Sequence, residues 1–285
     1  MDDPQIPSRR VTLDTGISLR VIERGEGEPR WLLVHGLASN ARLWDGVATR
    51  LASAGAATVA VDQRGHGLSD RPDEGFDMAT VADDLARLVT ALGWERVVLA
   101  GQSWGGNVVL EALARHPDRF LGAVCIDGGF IRLRDRFDDW ESCAEALAPP
   151  HLIGTPVEEM RGWVDRSAHD WPEEGRLGTM ANFEVRADGT IAPWLTRERH
   201  MAILEGMWNH DTVAAISGVE EGGCGYMGDA NKSVANSTPS KSFNFILKYN
   251  CIAGFKSGNS TKIDFLFSSN CTERTATGSC PRLSG

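Results

Sequence analysis

Short runs of apolar residues alternate with helical patterns between residues 10 and 127 of this 285-residue chain. Two of these runs, Val11–Leu13 and Ile17–Glu23, flank a turn at 14–16 and predict a β-hairpin. Continuous apolar runs bounded by glycine are typical of buried parallel strands. Four such runs follow, each succeeded within two residues by glycine or aspartate: Trp31–Val34, Thr58–Val61, Val97–Ala100 and Leu121–Ile126.

Two helices are predicted between these strands. From Met78 to Leu92 the apolar residues step by three or four, which gives one apolar face, and Gly93 ends the helix. A second helix runs from Gly106 to His116 and is closed by Pro117. This alternation predicts the α/β class, with a mostly parallel sheet covered by helices on both faces. Active sites in such sheets lie at the carboxyl ends of the strands.

The composition adds few constraints. Apolar residues make up 42% of the chain and charged residues 24%, values that are ordinary for globular proteins. The net charge of −10 argues against a nucleic-acid partner, because phosphate binding needs clustered Lys and Arg. No apolar run is long enough to span a bilayer, and the acidic start Met1–Pro4 is unlike a secretory leader. We therefore expect a cytoplasmic protein without a membrane partner.

The composition changes sharply near residue 218. No lysine precedes Lys232, no tryptophan follows Trp208 and no histidine follows His210. One gene under one codon bias does not usually produce both compositions. Two interpretations follow: a diverged C-terminal region, or a frameshift, chimeric assembly or fusion, and we favour the second. Four of the six cysteines lie in this last part: Cys224, Cys251, Cys271 and Cys280.

The segment Gly101–Gly106, with the sequence GQSWGG, carries the strongest chemical signal. It follows a predicted strand and opens a predicted helix, the context in which Gly-x-Ser-x-Gly forms a nucleophile elbow. The flanking glycines let strand and helix approach closely, and the turn directs the hydroxyl of Ser103 into the site. The helix also directs its positive N-terminal end toward a developing oxyanion. The alternative is an ordinary flexible turn.

Two further motifs lie upstream in the order expected of one family. His35–Trp44 reads HGLASNARLW, and Asp62–Ser69 reads DQRGHGLS. Together with the elbow they resemble the α/β-hydrolase superfamily over about residues 10–217. The resemblance implies the α/β-hydrolase fold with a helical cap, and it implies that His66 is structural.

The resemblance also implies an oxyanion hole. Its donors would be the backbone N–H groups of Leu37 and Trp104, and two preorganised amides contribute several kcal/mol to such catalysis. The alternative for the first loop is an ordinary βα turn in which His35 is structural.

A serine at the elbow predicts acyl-transfer chemistry, as in an esterase, a lipase-like enzyme, a lactonase or a C–C bond hydrolase. Family members with aspartate there include haloalkane dehalogenases and epoxide hydrolases. The expected partner is a small ester-like molecule, no cofactor or metal is implied, and the oligomeric state is left open. The domain prediction is an N-terminal core part at 1–130, a helical cap at 131–210 and an anomalous C-terminal region at 211–285.

Helical patterns are predicted in the cap at 135–148 and 157–168, and Glu198–Trp208 is predicted to lead back to the core. The tail contains two candidate strands, Phe243–Tyr249 and Lys262–Phe267, which could replace the family's last strands. Otherwise the sixth strand is an exposed edge.

The triad is incomplete in this sequence. The resemblance places the catalytic acid and the histidine after the cap, in a tail that has no histidine. In Gly228–Asn231 the expected acid position holds Asn231. Asp127, at the end of the sixth strand, is an alternative acid or a simple turn residue.

Three hypotheses for function follow. The first is a serine hydrolase with an incomplete triad, and the second is a catalytically inactive relative that binds a ligand or a partner. The third is a truncated or chimeric reading without an evolved function.

Overall fold

A computed structural model describes residues 7–221 and three short strands, at 245–247, 251–252 and 266–267. The chain divides into two compact units, Met1–Tyr249 and Asn250–Gly285. The strands, in chain order, are β1 (Ser8–Thr12), β2 (Ser18–Arg24), β3 (Arg30–Val34), β4 (Ala57–Val61), β5 (Val97–Gln102), β6 (Phe120–Ile126), β7 (Phe183–Val185), β8 (Ile191–Pro193), β9 (Phe245–Leu247), β10 (Cys251–Ile252) and β11 (Leu266–Phe267). The helices are α1 (Asp45–Ser53), α2 (Met78–Ala91), α3 (Trp104–Arg115), α4 (Trp140–Leu147), α5 (Val157–Ser167), α6 (Glu173–Met180), α7 (Arg197–Asn209) and α8 (Thr212–Glu221), with 3-10 turns at Ala41–Trp44 and Leu133–Asp135.

The main sheet of the first unit has the strand order β1-β2-β4-β3-β5-β6-β9. The four strands from β3 to β6 pair in parallel, and β1 and β2 form the antiparallel hairpin that the sequence predicts. Each predicted run is a strand, so the α/β prediction is confirmed. The apolar residues of β4 are all buried, as expected for a strand covered on both faces.

The helices α2 and α3 cover this sheet with the apolar faces that the sequence predicts. In α2, Leu85 and Leu88 are fully buried, and Asp77 caps the helix by accepting a 2.9 Å hydrogen bond from the N–H of Thr80. The start of α3 differs from the prediction: it begins at Trp104 rather than Gly106. The reason is that Ser103 alone makes the turn, so helical geometry starts directly after it.

The region between β6 and α8 contains more structure than its sequence pattern predicts. The helix predicted at 135–148 begins only at Trp140, because Asp139 caps it by accepting a 2.8 Å hydrogen bond from the N–H of Ser142. The other predicted helices correspond to α5 and α7. Neither α6 nor the antiparallel hairpin of β7 and β8 was predicted. The limits of the cap at 131–210 stay a prediction.

The sixth strand is not a free edge over its whole length. Within the candidate strand Phe243–Tyr249, β9 pairs antiparallel to β6, with Ala123 opposite Leu247 and Cys125 opposite Phe245. A strand that follows β6 through a helical crossover would lie parallel to it. Because β9 is antiparallel to β6, it does not continue the parallel part of the sheet. In the second unit, β11 at the end of the other candidate strand pairs antiparallel to β10.

No helix among residues 7–221 combines the length and apolarity that crossing a bilayer requires. The cytoplasmic location stays a prediction.

Candidate active site

Ser103 lies at the carboxyl end of β5 in a backbone conformation that few residues adopt. Its φ is 53° and its ψ is −123°. Positive φ is uncommon for residues other than glycine and persists only where the surroundings impose it. Here the N–H of Ser103 donates to the carbonyl of Ile126 at 2.9 Å, and its own carbonyl accepts from the N–H of Gly106 at 2.8 Å. The elbow is therefore held between β6 and the start of α3.

Close backbone contacts explain the glycines around the serine. A Cβ atom at Gly101 would lie 2.2 Å from the carbonyl oxygen of Gly105, and one at Gly105 would lie 2.4 Å from that of His35. A Cβ atom at Gly128, in the loop after β6, would lie 2.0 Å from the carbonyl oxygen of Ser103. All three distances are shorter than any van der Waals contact, so larger residues require the elbow to move.

The loop after β3 lies against the same serine. A Cβ atom at Gly36 would lie 3.1 Å from the Cβ of Ser103. Gly36 therefore lies against the elbow, and Leu37 is the next residue in the chain. Val34 and Gly101 are aligned in the parallel pairing of β3 and β5, which brings the two loops to the same edge of the sheet. Within residues 7–221, the N–H groups of Leu37 and Trp104 donate to no acceptor.

Two buried histidines fix the shape of this edge. His66 donates through Nδ1 to the carbonyl of Arg64 at 3.1 Å and accepts through Nε2 from the N–H of Ala38 at 3.3 Å. His35 is held in the same way between a backbone carbonyl and a backbone N–H. Burial lowers the pKa of His35 to about 4 and that of His66 to about 3. Both rings are neutral and have both nitrogens occupied, which is the structural role predicted for His66.

The ring of His66 also supports the start of α3. It stacks on the indole of Trp104 with ring centroids 5.4 Å apart. Trp104 is fully buried, and its Nε1–H donates to the sulfur of Met78 at 3.3 Å. Trp104 is the residue after the candidate nucleophile, so these contacts fix the position of its backbone N–H.

Of the two acid candidates, the structure describes one. Asp127 directly follows Ile126, the hydrogen-bond acceptor of Ser103, and has a φ of 51° with an exposed side chain. Asn231 lies outside the described residues.

All seven histidines lie within residues 7–221, and none forms a hydrogen bond with Ser103 or Asp127 there. Two of them pair with carboxylates elsewhere: His116 contacts Asp83 at 2.7 Å and His210 contacts Glu111 at 3.1 Å. The described part of the chain thus holds an elbow serine without a hydrogen-bonded histidine.

One buried side chain that sequence reasoning missed secures the loop over the elbow. Asn107, on α3, accepts hydrogen bonds through Oδ1 from the N–H groups of Gly129 at 3.1 Å and Ile131 at 3.3 Å. Its Nδ2 donates to the carbonyl of Ile131 at 2.9 Å. A polar residue at a buried position of an apolar helix is the signal that could have identified it.

A second buried side chain that sequence reasoning missed is that of Asp62, the first residue of the motif Asp62–Ser69. Asp62 is 1% exposed and accepts from the N–H groups of Ala41 at 2.7 Å and Leu68 at 2.9 Å. Burial raises the pKa of its carboxyl, while the nearby Arg20 guanidinium opposes that rise. Asp62 therefore ties the loop after β3 to the loop after β4.

Next to the loop after β3 lies a cavity of about 370 Å³, bounded by Ala38, Ser39, Gly67 and residues between 149 and 200. Its size is within the range of small-molecule sites. Within the described part of the chain, no three His, Cys, Asp or Glu side chains lie close enough together to hold a metal ion.

Comparison with known proteins gives matches over part of the chain. A family model for the alpha/beta hydrolase fold matches residues 29–158. A 2-(acetamidomethylene)succinate hydrolase from Mesorhizobium japonicum is 41% identical over 120 residues, which are 42% of this chain and 42% of that protein. Epoxide hydrolase A from Mycobacterium tuberculosis is 40% identical over 123 residues, which are 42% of this chain and 38% of that protein. The chain therefore spans less than half of either curated relative.

Solved structures extend the match to most of the described residues. The crystal structure of E-2-(acetamidomethylene)succinate hydrolase has a TM-score of 0.62 and 29% identity, covering 74% of this chain and 76% of that one. An esterase from Exiguobacterium antarcticum has a TM-score of 0.54 and 18% identity, covering 73% of this chain and 76% of that one, and it supports the fold alone.

Proposed function

We propose that this chain, whose residues 29–158 match a family model for the α/β-hydrolase fold, hydrolyses a small acyl substrate with Ser103 as the nucleophile. The observation that carries the proposal is the conformation of Ser103. A φ of 53° at a strand–helix junction, maintained by glycines that cannot carry a Cβ atom, costs folding free energy. Such strain is typical of a serine whose hydroxyl must reach a substrate.

In the proposed reaction the Ser103 hydroxyl oxygen attacks the substrate carbonyl carbon. The resulting oxyanion accepts hydrogen bonds from the N–H groups of Leu37 and Trp104, which are free of acceptors within residues 7–221. The hydroxyl proton passes to water, the bond to the leaving group breaks, and the leaving group departs as an alcohol or amine after taking a proton from water. A second water molecule then attacks the acyl-enzyme, which releases the carboxylic acid and restores the Ser103 hydroxyl. Preorganised donors of this kind lower the barrier by about 3 kcal/mol each.

The substrate class follows from the nucleophile and from the relatives. Relatives are named for hydrolysis of an acetamido compound and of epoxides, and both are small molecules. Position 103 is serine, so we propose an ester or amide rather than an epoxide, because serine forms acyl intermediates.

The absence of a histidine that could act as base for Ser103, within the described residues, favours a second candidate function. Without a histidine hydrogen-bonded to Ser103, the proton of its hydroxyl must pass to water or to an added base. Loss of a triad base leaves roughly 10³–10⁴-fold catalysis over water. An inactive relative that binds a ligand in the cap cavity is therefore the alternative.

Hydrolysis of p-nitrophenyl acetate, with and without added imidazole, tests the proposal. After subtraction of the protein-free rate at each imidazole concentration, we expect slow turnover by the chain, an increase with imidazole, and loss of both in Ser103→Ala. Ser53→Ala, at an exposed serine of α1, is the matched control and should retain the parent rate. Equal rates in the parent and Ser103→Ala, at every imidazole concentration, would favour the inactive relative.

A further inference from the structure

The loop after β3 carries the proposed oxyanion donor Leu37 on a peptide whose carbonyl is held by a side chain. The carbonyl oxygen of Gly36 accepts a hydrogen bond from the Nδ1–H of His35 at 2.7 Å. That carbonyl and the N–H of Leu37 belong to one trans peptide unit, which is planar, so the two groups point in opposite directions. The hydrogen bond from His35 therefore fixes the direction of the Leu37 N–H.

The next peptide of this loop is held by the second buried histidine. The N–H of Ala38 donates to Nε2 of His66 at 3.3 Å, and Ala38 has a φ of 57°. Ala38 is the third residue of a turn that is closed by a 3.3 Å hydrogen bond from the N–H of Ser39 to the carbonyl of Gly36. A positive φ at this position favours glycine, and reversal of the peptide before Ala38 would give a type I turn, in which φ is negative there. His66 therefore holds the loop in the less favourable of two turns.

The loop after β4 fixes both rings in place. Nε2 of His35 accepts from the backbone N–H of Gln63 at 3.1 Å, and Nδ1 of His66 donates to the carbonyl of Arg64 at 3.1 Å. The two rings also meet edge to face, with centroids 4.8 Å apart. Both histidines are fully buried, so bulk water does not compete for these hydrogen bonds. One pair of rings thus connects the loop after β4 to two successive peptides of the loop after β3.

We propose that His35 and His66 are positioning residues that orient the N–H of Leu37 toward the oxyanion of the proposed reaction. This N–H has no acceptor within residues 7–221, and it follows Gly36, which lies against the elbow. Both nitrogens of each ring bind the backbone, so the rings act through the loop and not on the substrate. The proposal rests on the proposed function in naming the oxyanion, but the direction of the N–H does not depend on turnover.

Asparagine and glutamine separate the two nitrogens of each ring. The amide of asparagine lies where Nδ1 of histidine lies, and the amide of glutamine lies near the position of Nε2. His35→Asn therefore retains a donor for the carbonyl of Gly36, whereas His35→Gln retains only an acceptor for the N–H of Gln63. At position 66 the order is reversed, because His66→Gln retains the acceptor for the N–H of Ala38 and His66→Asn loses it.

The ¹⁵N–¹H residual dipolar coupling of Leu37, measured in a weakly aligned sample, reports the direction of its N–H. We expect the parent value in His35→Asn and His66→Gln, and a changed value in His35→Gln and His66→Asn. The couplings of β5 serve as the control for alignment and should keep their parent values in all four variants. A merely structural role predicts no reversal between the two positions, because every variant loses its ring and one backbone hydrogen bond. Equal values within either pair, or the opposite order, would overturn the proposal, so one position suffices if a variant at the other does not fold.

Turnover of p-nitrophenyl acetate with imidazole, corrected for the protein-free rate, gives the second readout. We expect His35→Asn to exceed His35→Gln, and His66→Gln to exceed His66→Asn, by about 100-fold, the effect of removing one oxyanion donor. Changed couplings with equal rates within a pair would overturn the role of this N–H in the reaction. If Ser103→Ala turns over as fast as the parent, the proposed function fails, and the dipolar couplings still decide whether the histidines orient Leu37.

Discussion

Ser103 keeps its positive φ because backbone segments approach it at positions where glycine leaves room. The carbonyl of His35 faces Gly105, and the carbonyl of Ser103 faces Gly128. These contacts join the ends of β3, β5 and β6 into one support for the serine. At the scale of single residues, the site thus depends on the absence of side chains as much as on their presence.

Gly105→Ala tests this dependence. The new Cβ atom would lie 2.4 Å from the carbonyl oxygen of His35, so we expect a loss of about 1–3 kcal/mol in the free energy of unfolding. Gly218→Ala is the control, since its Cβ atom would meet only the Cβ of Ala114, at 3.5 Å, and alanine favours the helix. Urea denaturation measures both, and a Gly105→Ala protein as stable as the parent would contradict the account.

The buried histidines predict a dependence of stability on pH. The folded-state pKa of His66 is lowered to about 3 from the ordinary 6.5, so the unfolded chain binds its proton first. The contribution of neutral His66 to the free energy of unfolding is complete above pH 6.5. It decreases as the pH falls toward 3, by about 1.4 kcal/mol per pH unit. We expect His66→Gln to reduce the slope between pH 6 and 4.5 by that amount. Equal slopes in the parent and in His66→Gln would refute this role.

The residues of the elbow are predictable from sequence because their constraint is local. Glycine is required two positions before and two positions after Ser103, because adjacent elements come into backbone contact there. The burial of His200, which lines the cavity next to the loop after β3, could not be predicted in the same way, because it depends on α7 packing near Leu147, 53 residues away.

At the scale of elements, α2 is fastened to the loop after β4 by a buried ion pair. The guanidinium of Arg64 contacts the carboxylate of Asp84 with two hydrogen bonds of 2.5 and 2.7 Å, and its Nη1 donates to the carbonyl of Gly75 at 3.0 Å. Both charged residues are almost fully buried. The pair therefore fixes the position of the loop that carries His66.

Asp84→Asn should destabilise the fold by about 3 kcal/mol, because it leaves the buried guanidinium without its counter-charge. The adjacent Asp83→Asn is the matched control. Asp83 pairs with Arg115 and His116 near the surface, so its replacement should cost about 1 kcal/mol or less. Thermal unfolding measures both, and equal losses would show that the buried pair has no special role.

The parallel strands were predictable because burial on both faces produces continuous apolar runs. The hairpin of β7 and β8 was not predictable, since these strands have three residues each and their sequence lacks a clear alternation. The helix predicted from residue 135 begins only at Trp140, because the capping role of Asp139 outweighs the apolar pattern before it. Short elements take their structure from caps and neighbours more than from hydrophobic periodicity.

At the scale of the whole molecule, the chain after about residue 218 differs from the parallel core in composition and in strand direction. The composition changes near residue 218, and β9 joins β6 in an antiparallel sense over three residues. The resemblance to the α/β-hydrolase superfamily places the catalytic acid and the catalytic histidine in this part of the chain. A shift in reading frame near codon 218 would explain the change of composition and the absent histidine together.

This explanation predicts that another frame of the DNA after codon 218 encodes an aspartate turn followed by a histidine turn. Expression of that frame should raise hydrolytic turnover by several orders of magnitude over the present chain, because a triad base is restored. DNA sequencing around the codon checks the first part, and the ester assay checks the second. An intact single frame without such turns elsewhere would exclude the frameshift.

Covalent labelling tests most directly whether Ser103 is a nucleophile. The purified chain is incubated with a fluorophosphonate probe, and the modified peptide is identified by mass spectrometry. We expect one adduct, on Ser103, that is absent from Ser103→Ala and present in Ser53→Ala. No adduct, or an adduct on another serine with Ser103 unmodified, would contradict it.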